Sequence, residues 1–315
     1  LEVAAPAPAH AQANFASLSG TLVDSSGGVL PGVTVVCKNV RTGLTQETVT
    51  NEVGIFRFAD LPIGQYEVTA SLQGFQKLVA GGINLITGQT ADIKLTMQPG
   101  GLETTVEVSG ATPVTQTASS TVQTSMTVRQ VQDLPLNGRN PMQLVVLTAG
   151  ASITDAGTVT GQQDNRGVTV NGLRATQNNW RLDGANYNNR FFGSAPVLPN
   201  PDTLEEFTVQ SANYSARTSG AGALVELSTR SGSNQTHFSA FEFLRDKSLN
   251  ANDPFNNAAG REKPPYSQHQ FGGTIGGPIF KNKTFYFGAY QGTRRDSAPG
   301  TSTVRSLTAD ERSGN

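Results

Sequence analysis

At 315 residues the chain is long enough for two or three domains, and its 34 glycines and 16 prolines favour turn-rich β structure over a low-complexity chain. A formal net charge of −1 with 15% charged residues supplies no basic stripe, so a nucleic-acid partner has no electrostatic footprint. The single cysteine, Cys37, excludes an intrachain disulfide framework, and no run approaches the ~18 consecutive apolar residues of a spanning helix.

Residues 1–15 are rich in alanine and proline, and Ala9-His10-Ala11 and Ala11-Gln12-Ala13 both fit a signal cleavage site. They read as a signal-peptide remnant or as a disordered tail, and in either case stand outside the fold.

Residues 16–98 offer seven short alternating runs at the spacing of a β-sandwich: Leu18 to Val23, Gly32 to Lys38, Thr45 to Thr50, Ile55 to Phe58, Tyr66 to Leu72, Gln76 to Val79 and Ala91 to Met97. Turn residues separate them, at Asp24 to Gly28, Pro31-Gly32, Asn51 to Gly54 and Leu61 to Gly64. The inward candidates are Val33, Val35, Phe56, Phe58, Tyr66, Val68, Phe75, Ile93 and Leu95. Cys37, beside Val35 and Val36, reads as a small buried hydrophobe. His10, His237 and His269 fall in separate segments without zinc-ligand spacing, so no metal site, catalytic thiol or cofactor is expected. On Gly20 to Asp24, Leu30 to Val35, Asn51 to Phe56 and Leu61 to Tyr66 the segment resembles the carboxypeptidase-regulatory-like, transthyretin-type module, with Asn51 where many relatives carry Asp. The resemblance implies a periplasmic binding or packing domain without peptidase chemistry.

Residues 99–127 read as a linker, opened by Pro99-Gly100-Gly101 and Thr/Ser-rich from residue 111. Within it Thr104, Thr105, Val106, Glu107, Val108, Ser109 and Gly110 resemble a TonB box. That implies strand addition to a TonB-type energy-transducing protein in the periplasm. An ordinary interdomain strand, or a further strand of the sandwich, is the alternative.

Residues 128–232 begin with a helix over 128–134 stopped by Pro135, then a second helix started at Asn140 with Pro141 in its first position and running to Leu147. Gly150 to Asn165 reads as a loop. Trp180 and Leu182 alternate with Asn179, Arg181 and Asp183, and Asp183-Gly184 is hairpin-turn chemistry. Glu206 to Gln210 forms a second strand. Leu224 to Arg230 forms a third, approached through Gly220-Ala221-Gly222-Ala223, small residues that let another backbone come close. Arg166-Gly167, Leu182-Asp183-Gly184, the Glu206 to Val209 run and the Gly222 to Gly232 run with Arg230 together resemble the plug domain of TonB-dependent outer-membrane receptors. Leu134 to Asn140 is similar to the plug start of the Oar-like group. Tyr187, Arg190, Phe191 and Phe192, in the loop after Gly184, either face ligand or pack on the plug core or barrel wall. Asp183, Arg217, Glu226 and Arg230 are candidate intraplug or plug–wall pairs.

Residues 233–315 take on the period of barrel strands. Phe271, Gly273, Ile275 and Ile279 alternate with Gln270, Gly272, Thr274 and Gly276, and Phe285, Phe287 and Ala289 alternate with Thr284, Tyr286, Gly288 and Tyr290. Lys281-Asn282-Lys283 suits the turn between them, and Thr236 to Arg245 reads as an earlier strand with imperfect alternation. About three strands fit where a plugged transporter needs about 22, so the expectation is the N-terminal piece of a longer receptor, with 296–315 a polar loop.

The expected fold is therefore mainly β: a transthyretin-like sandwich, a mixed α/β plug and the first strands of an incomplete transmembrane barrel. The resemblance implies a non-enzymatic receptor in the outer membrane whose plug gates energised uptake, with outer-membrane lipid and an unidentified small ligand or oligomer as further partners. A secreted or surface-attached β-rich adhesion protein is the alternative.

Overall fold

The computed structural model describes residues 15–100, 105–108, 120–134, 136, 139–154, 167–189, 195–197, 199–214, 221–297, 312 and 314. By packing, the chain divides into one unit of residues 1–237 with 275–288 and another of 238–274 with 289–315.

In the first unit, seven strands make the sandwich: β1 (Phe15–Asp24), β2 (Thr34–Asn39), β3 (Thr45–Val49), β4 (Ile55–Pro62), β5 (Gly64–Ser71), β6 (Lys77–Leu85) and β7 (Thr90–Met97). One sheet runs β4-β1-β7, with β1 and β7 parallel. The other runs β3-β2-β5-β6 and is extended by β8 (Thr105–Val108), which lies parallel to β6 at its edge. Strict alternation puts every second side chain between the sheets, as on β5, where Tyr66, Val68 and Ala70 are buried. Each large apolar side chain so buried is worth about 1.5–3 kcal/mol before the entropy of ordering is set against it. Phe56 and Phe58 meet edge to face at 5.9 Å in this core, and Cys37 lies within it. Phe75 is only partly buried, packed at its margin.

The turns close by side-chain chemistry. Asp24 accepts the Ser26 and Gly28 amides, each at 2.8 Å, and these bonds hold its carboxyl below the ordinary range. Asn51 accepts from Val53 at 3.2 Å and Ile55 at 2.9 Å. Gly20 is obligatory on β1, because a Cβ there would lie 2.6 Å from the Ile93 carbonyl and the Phe56 ring.

β6 extends well past Val79. Opposite β5, Tyr66 pairs with Ile83 and Val68 with Ala80, so Gly81 and Gly82 together face one residue. Gly82 takes φ +73°, and the pair that resembles a turn in sequence is a bulge inside a strand.

The stretch 99–127 is not simply a linker. Beyond β8, the residues Val122–Thr127 form β9, antiparallel to β14 (Leu204–Ala212). Its alternating polar and β-branched residues satisfy a sheet edge, a non-local partner that local composition does not announce. Thr127 then caps α1 (Val128–Asp133), its amide donating to Gln130 Oε1 at 3.0 Å in a capping box. Pro141–Leu147 is a 3₁₀ helix rather than an α-helix, capped by Asn140, which accepts the Met142 amide at 2.9 Å. Its seven residues include the β-branched pair Val145-Val146, which suits a short tight helix. Part of the expected 150–165 loop is β10 (Ala151–Thr154), paired with β11 (Gly167–Val170).

The remaining strands are β12 (Asn179–Leu182), β13 (Ala185–Asn186) and β15 (Leu224–Thr229). They complete a five-stranded sheet in the order β13-β12-β15-β14-β9. Trp180, Phe207, Leu204, Met126 and Leu144 are buried in the plug-region core, separate from that of the sandwich.

The last three strands, β16 (His237–Asp246), β17 (Tyr266–Phe280) and β18 (Thr284–Ser297), form a sheet in that order, with the short helix α1's later counterpart α2 (Pro254–Ala258) between β16 and β17. Asp296 belongs to β18 rather than to a terminal loop. In the second unit Phe271 and Tyr290 stack at 6.4 Å, Ser239 and Thr274 share a 2.7 Å hydroxyl bond, and the Arg245 guanidinium lies 5.0 Å over the Tyr266 ring. On β17 Phe271, Ile275 and Ile279 are exposed, while on β18 Tyr290 is exposed and Phe285 and Phe287 are half-buried. Among the described residues no helix is long and apolar enough to cross a membrane.

Candidate functional site

The plug-region sheet carries a buried carboxylate toward the sandwich. Glu206, on β14, points away from the apolar core and is 5% exposed. Its Oε2 accepts the Thr87 amide at 2.9 Å and the Thr87 hydroxyl at 3.0 Å, from the turn that follows β6. Its Oε1 accepts from Ser125 on β9 and, at 2.8 Å, from Thr208. The Thr87 and Ser228 hydroxyls are 3.0 Å apart, so the turn also reaches β15. Four donors on one carboxylate offset the loss of its hydration, the condition under which a buried charge is tolerated.

A second loop of the sandwich meets the same strand. Arg41, after β2, pairs with Glu205, and its backbone carbonyl accepts the Asn234 amide at 3.0 Å. Arg230 lies 3.9 Å from the other oxygen of Glu205. Deeper in the sheet, Glu226 faces Arg181 at 3.8 Å; burial pushes its carboxyl above the ordinary range, Arg181 opposes that, and Glu206 adds to it. Sequence reasoning passed over Thr87, Glu205 and Arg41. The signal available was Glu206 itself, a charge within an otherwise strand-like run.

The hairpin at Asp183 is locked from the side. Asp183 takes φ +50° and Gly184 φ +80°, a turn with both central residues left-handed. The Asp183 carboxylate accepts the Thr229 amide at 2.8 Å and hydroxyl at 2.7 Å, tying the turn to the end of β15. Asp183 thus bonds a threonine, and Glu226 faces Arg181; Arg217 lies outside the described residues. Gly222 is where the backbones converge: a Cβ there would fall 2.8 Å from the Gln177 carbonyl. Gly167 opens β11, Leu182 ends β12, and the Arg230 amide donates to Thr203 at 2.8 Å. Arg166 lies outside the described residues.

Of the aromatic loop, Tyr187 packs against the plug-region core and donates its hydroxyl to the Val197 carbonyl at 2.6 Å. Arg190, Phe191 and Phe192 lie outside the described residues. Arg139 pairs with Asp202, and its guanidinium is held below the ordinary range chiefly by burial, against the pull of Asp202.

Of the segment singled out at 104–110, Thr105, Val106, Glu107 and Val108 are β8, in register with Lys77, Leu78, Val79 and Ala80 of β6. Thr104, Ser109 and Gly110 lie outside the described residues. As the terminal strand of its sheet, β8 has one ladder satisfied by β6. No cluster of three or more metal-ligating side chains occurs among the described residues.

Residues 17–98 match the carboxypeptidase regulatory-like domain family, and residues 228–315 match the outer membrane beta barrel domain family. The chain is 26% identical over 293 residues to the TonB-dependent transporter Oar of Myxococcus xanthus, across 88% of this chain and 27% of that protein. It therefore spans about a quarter of the length of that curated relative, at 27%. Among solved structures, the siderophore receptor PirA from Acinetobacter baumannii aligns at 22% identity and TM-score 0.40, covering 54% of this chain and 24% of that one. The 5-hydroxyisourate hydrolase of Klebsiella pneumoniae aligns at 28% identity and TM-score 0.22, covering 27% of this chain and 92% of that one. Superpositions this loose carry no functional weight.

Proposed function

We propose that this chain, a TonB-dependent outer-membrane receptor sequence related to Oar, acts as the gating portion of a transporter: residues 128–232 are the plug, and β16 to β18 begin the barrel around it. The observation that carries the reading is the 26% identity to Oar over 293 residues, which runs through the sandwich, the plug region and the strands after it. The sheet supports it physically. Small strands joined through buried carboxylates and hydroxyls can part at local cost, as a gate must.

In this reading residues 104–110 recruit a TonB-type protein by strand addition, with the sandwich in the periplasm and the barrel strands against outer-membrane lipid. The outer edge of β8 offers backbone groups in extended form, the feature strand addition needs. The plug motif residues Arg166, Gly167, Leu182, Asp183, Gly184, Gly222 and Arg230 maintain the gate's shape, and the loop of Tyr187, Arg190, Phe191 and Phe192 meets the cargo. The chain does no covalent chemistry.

The test is titration of the intact receptor with the periplasmic domain of a TonB-type protein, before and after deletion of 104–110. Binding that disappears with the deletion, together with loss of energised uptake and retained ligand binding from outside, is the expected result. Binding and uptake that both survive the deletion would refute the assignment.

A further inference from the structure

We infer that the sandwich lies in the path of force: the single strand β6 holds residues 105–108 at its beginning and, through the turn at its end, holds the plug sheet, so a pull on that segment reaches the plug through the sandwich. The inference rests on the reading of 104–110 as the coupling segment.

Lys77 to Ala80, the first four residues of β6, carry the ladder to β8. β6 ends at Leu85, and Thr87, two residues on, makes both hydrogen bonds to Glu206. Between these points β6 is stiffened by its pairing to β5 from Leu78 through Leu85. A strand clamped along its length transmits tension instead of stretching. The Arg41–Glu205 pair gives the sandwich a second hold on β14, at the neighbouring residue.

The chain also offers a direct route, from β8 to β9 through residues 109–121. Those residues can be drawn out to about 45 Å at full extension. A pull applied at β8 meets the ladder first, and the direct connection carries load only once its slack is gone. The load then arrives on β14, which has β15 on one side and β9 on the other. Drawing β14 strains both of its ladders, whereas drawing β9, at the sheet's edge, would peel only one.

The test uses the intact receptor, anchored by its C-terminal end and drawn by optical tweezers from a handle on Gly110→Cys. Cys37 is buried and its thiol is pushed up to about 12, so the handle attaches selectively. The expected trace has an early rupture before the plug strands unravel. In R41A/T87A the lifetime of that first contact under load falls by about tenfold or more, the worth of a lost hydrogen bond to a carboxylate. In V106P/E107P the rupture disappears, because one of two successive amides must face β6 and proline removes it. Identical first ruptures in all three proteins would show that force bypasses the sandwich and would overturn the inference. Hydrogen exchange over β1 to β7 verifies folding; should R41A/T87A lose that protection, T87A alone carries the comparison. Uptake that survives loss of 104–110 refutes the coupling assignment itself, and force traces insensitive to Thr87 in a receptor that needs 104–110 refute only this inference.

Discussion

Thr87 and Glu206 are joined twice: the amide at 2.9 Å and the hydroxyl at 3.0 Å of one threonine reach the same carboxylate oxygen, with both residues buried. Glu206→Ala leaves Thr87, Ser125 and Thr208 without their acceptor and is expected to cost about 2–4 kcal/mol. Glu206→Gln keeps one acceptor oxygen and should cost less. Trp180, the chain's single tryptophan and buried in the plug-region core, reports the transition by fluorescence during urea unfolding. A Glu206→Ala transition coincident with wild type would count against the cluster's contribution.

Asp183 secures its hairpin with two bonds to Thr229. Asp183→Ala loses both and also places alanine at φ +50°, for an expected loss of about 2–3 kcal/mol. Asp183→Asn tolerates the left-handed backbone and keeps one acceptor, so it should fall between alanine and wild type. The order Asp, Asn, Ala in urea midpoint is the outcome to look for; equal midpoints would sink the account.

Glu226 gives the plug region a pH dependence of defined sign. Its carboxyl is raised by burial, partly offset by Arg181, so the folded state binds its proton more tightly than the unfolded chain does. Stability from this group is therefore full below the unfolded value near 4.5 and is lost as pH rises through the folded one. Glu226→Gln should remove that decline, and Arg181→Met should carry it to higher pH. Urea midpoints of the three proteins across a pH series decide it; a decline of equal size in Glu226→Gln would assign the effect elsewhere.

Cys37 titrates at about 12 because it lies in the sandwich core. At pH 8 its reaction with a disulfide reagent should be limited by opening of the sandwich and should accelerate in urea in step with unfolding. Rapid labelling of the folded protein would contradict the packing of β2.

The sandwich was legible because its signals are local. Apolar residues alternate along β1, β2, β4, β5 and β7, and Asp24 and Asn51 close their turns through their own side chains. Asn51 works where relatives have aspartate because the turn needs only a side-chain oxygen. The far half of β6 escaped because Gly81-Gly82 has the composition of a turn and the conformation of a bulge. β8 and β9 escaped for a different reason. Their ladders come from β6 and β14, partners about 28 and 80 residues away by their registers, and a threonine-rich stretch does not say which edge it will join. The Asp183-Gly184 hairpin and the close approach at Gly222 were readable, since each demands a particular residue type. The contact between Thr87 and Glu206 was not, because it joins two separately folded cores.

The placement of β8 bears on what happens after it has been drawn off. Its departure would bare the backbone edge of β6 beside Leu78 and Ala80, an exposed margin that attracts any extended strand nearby. The same four residues remain tethered within reach, at a local concentration that a free competitor would have to match. Such an arrangement rewinds itself: each release creates the vacancy that calls the segment home, and the receptor returns to readiness without a second source of energy.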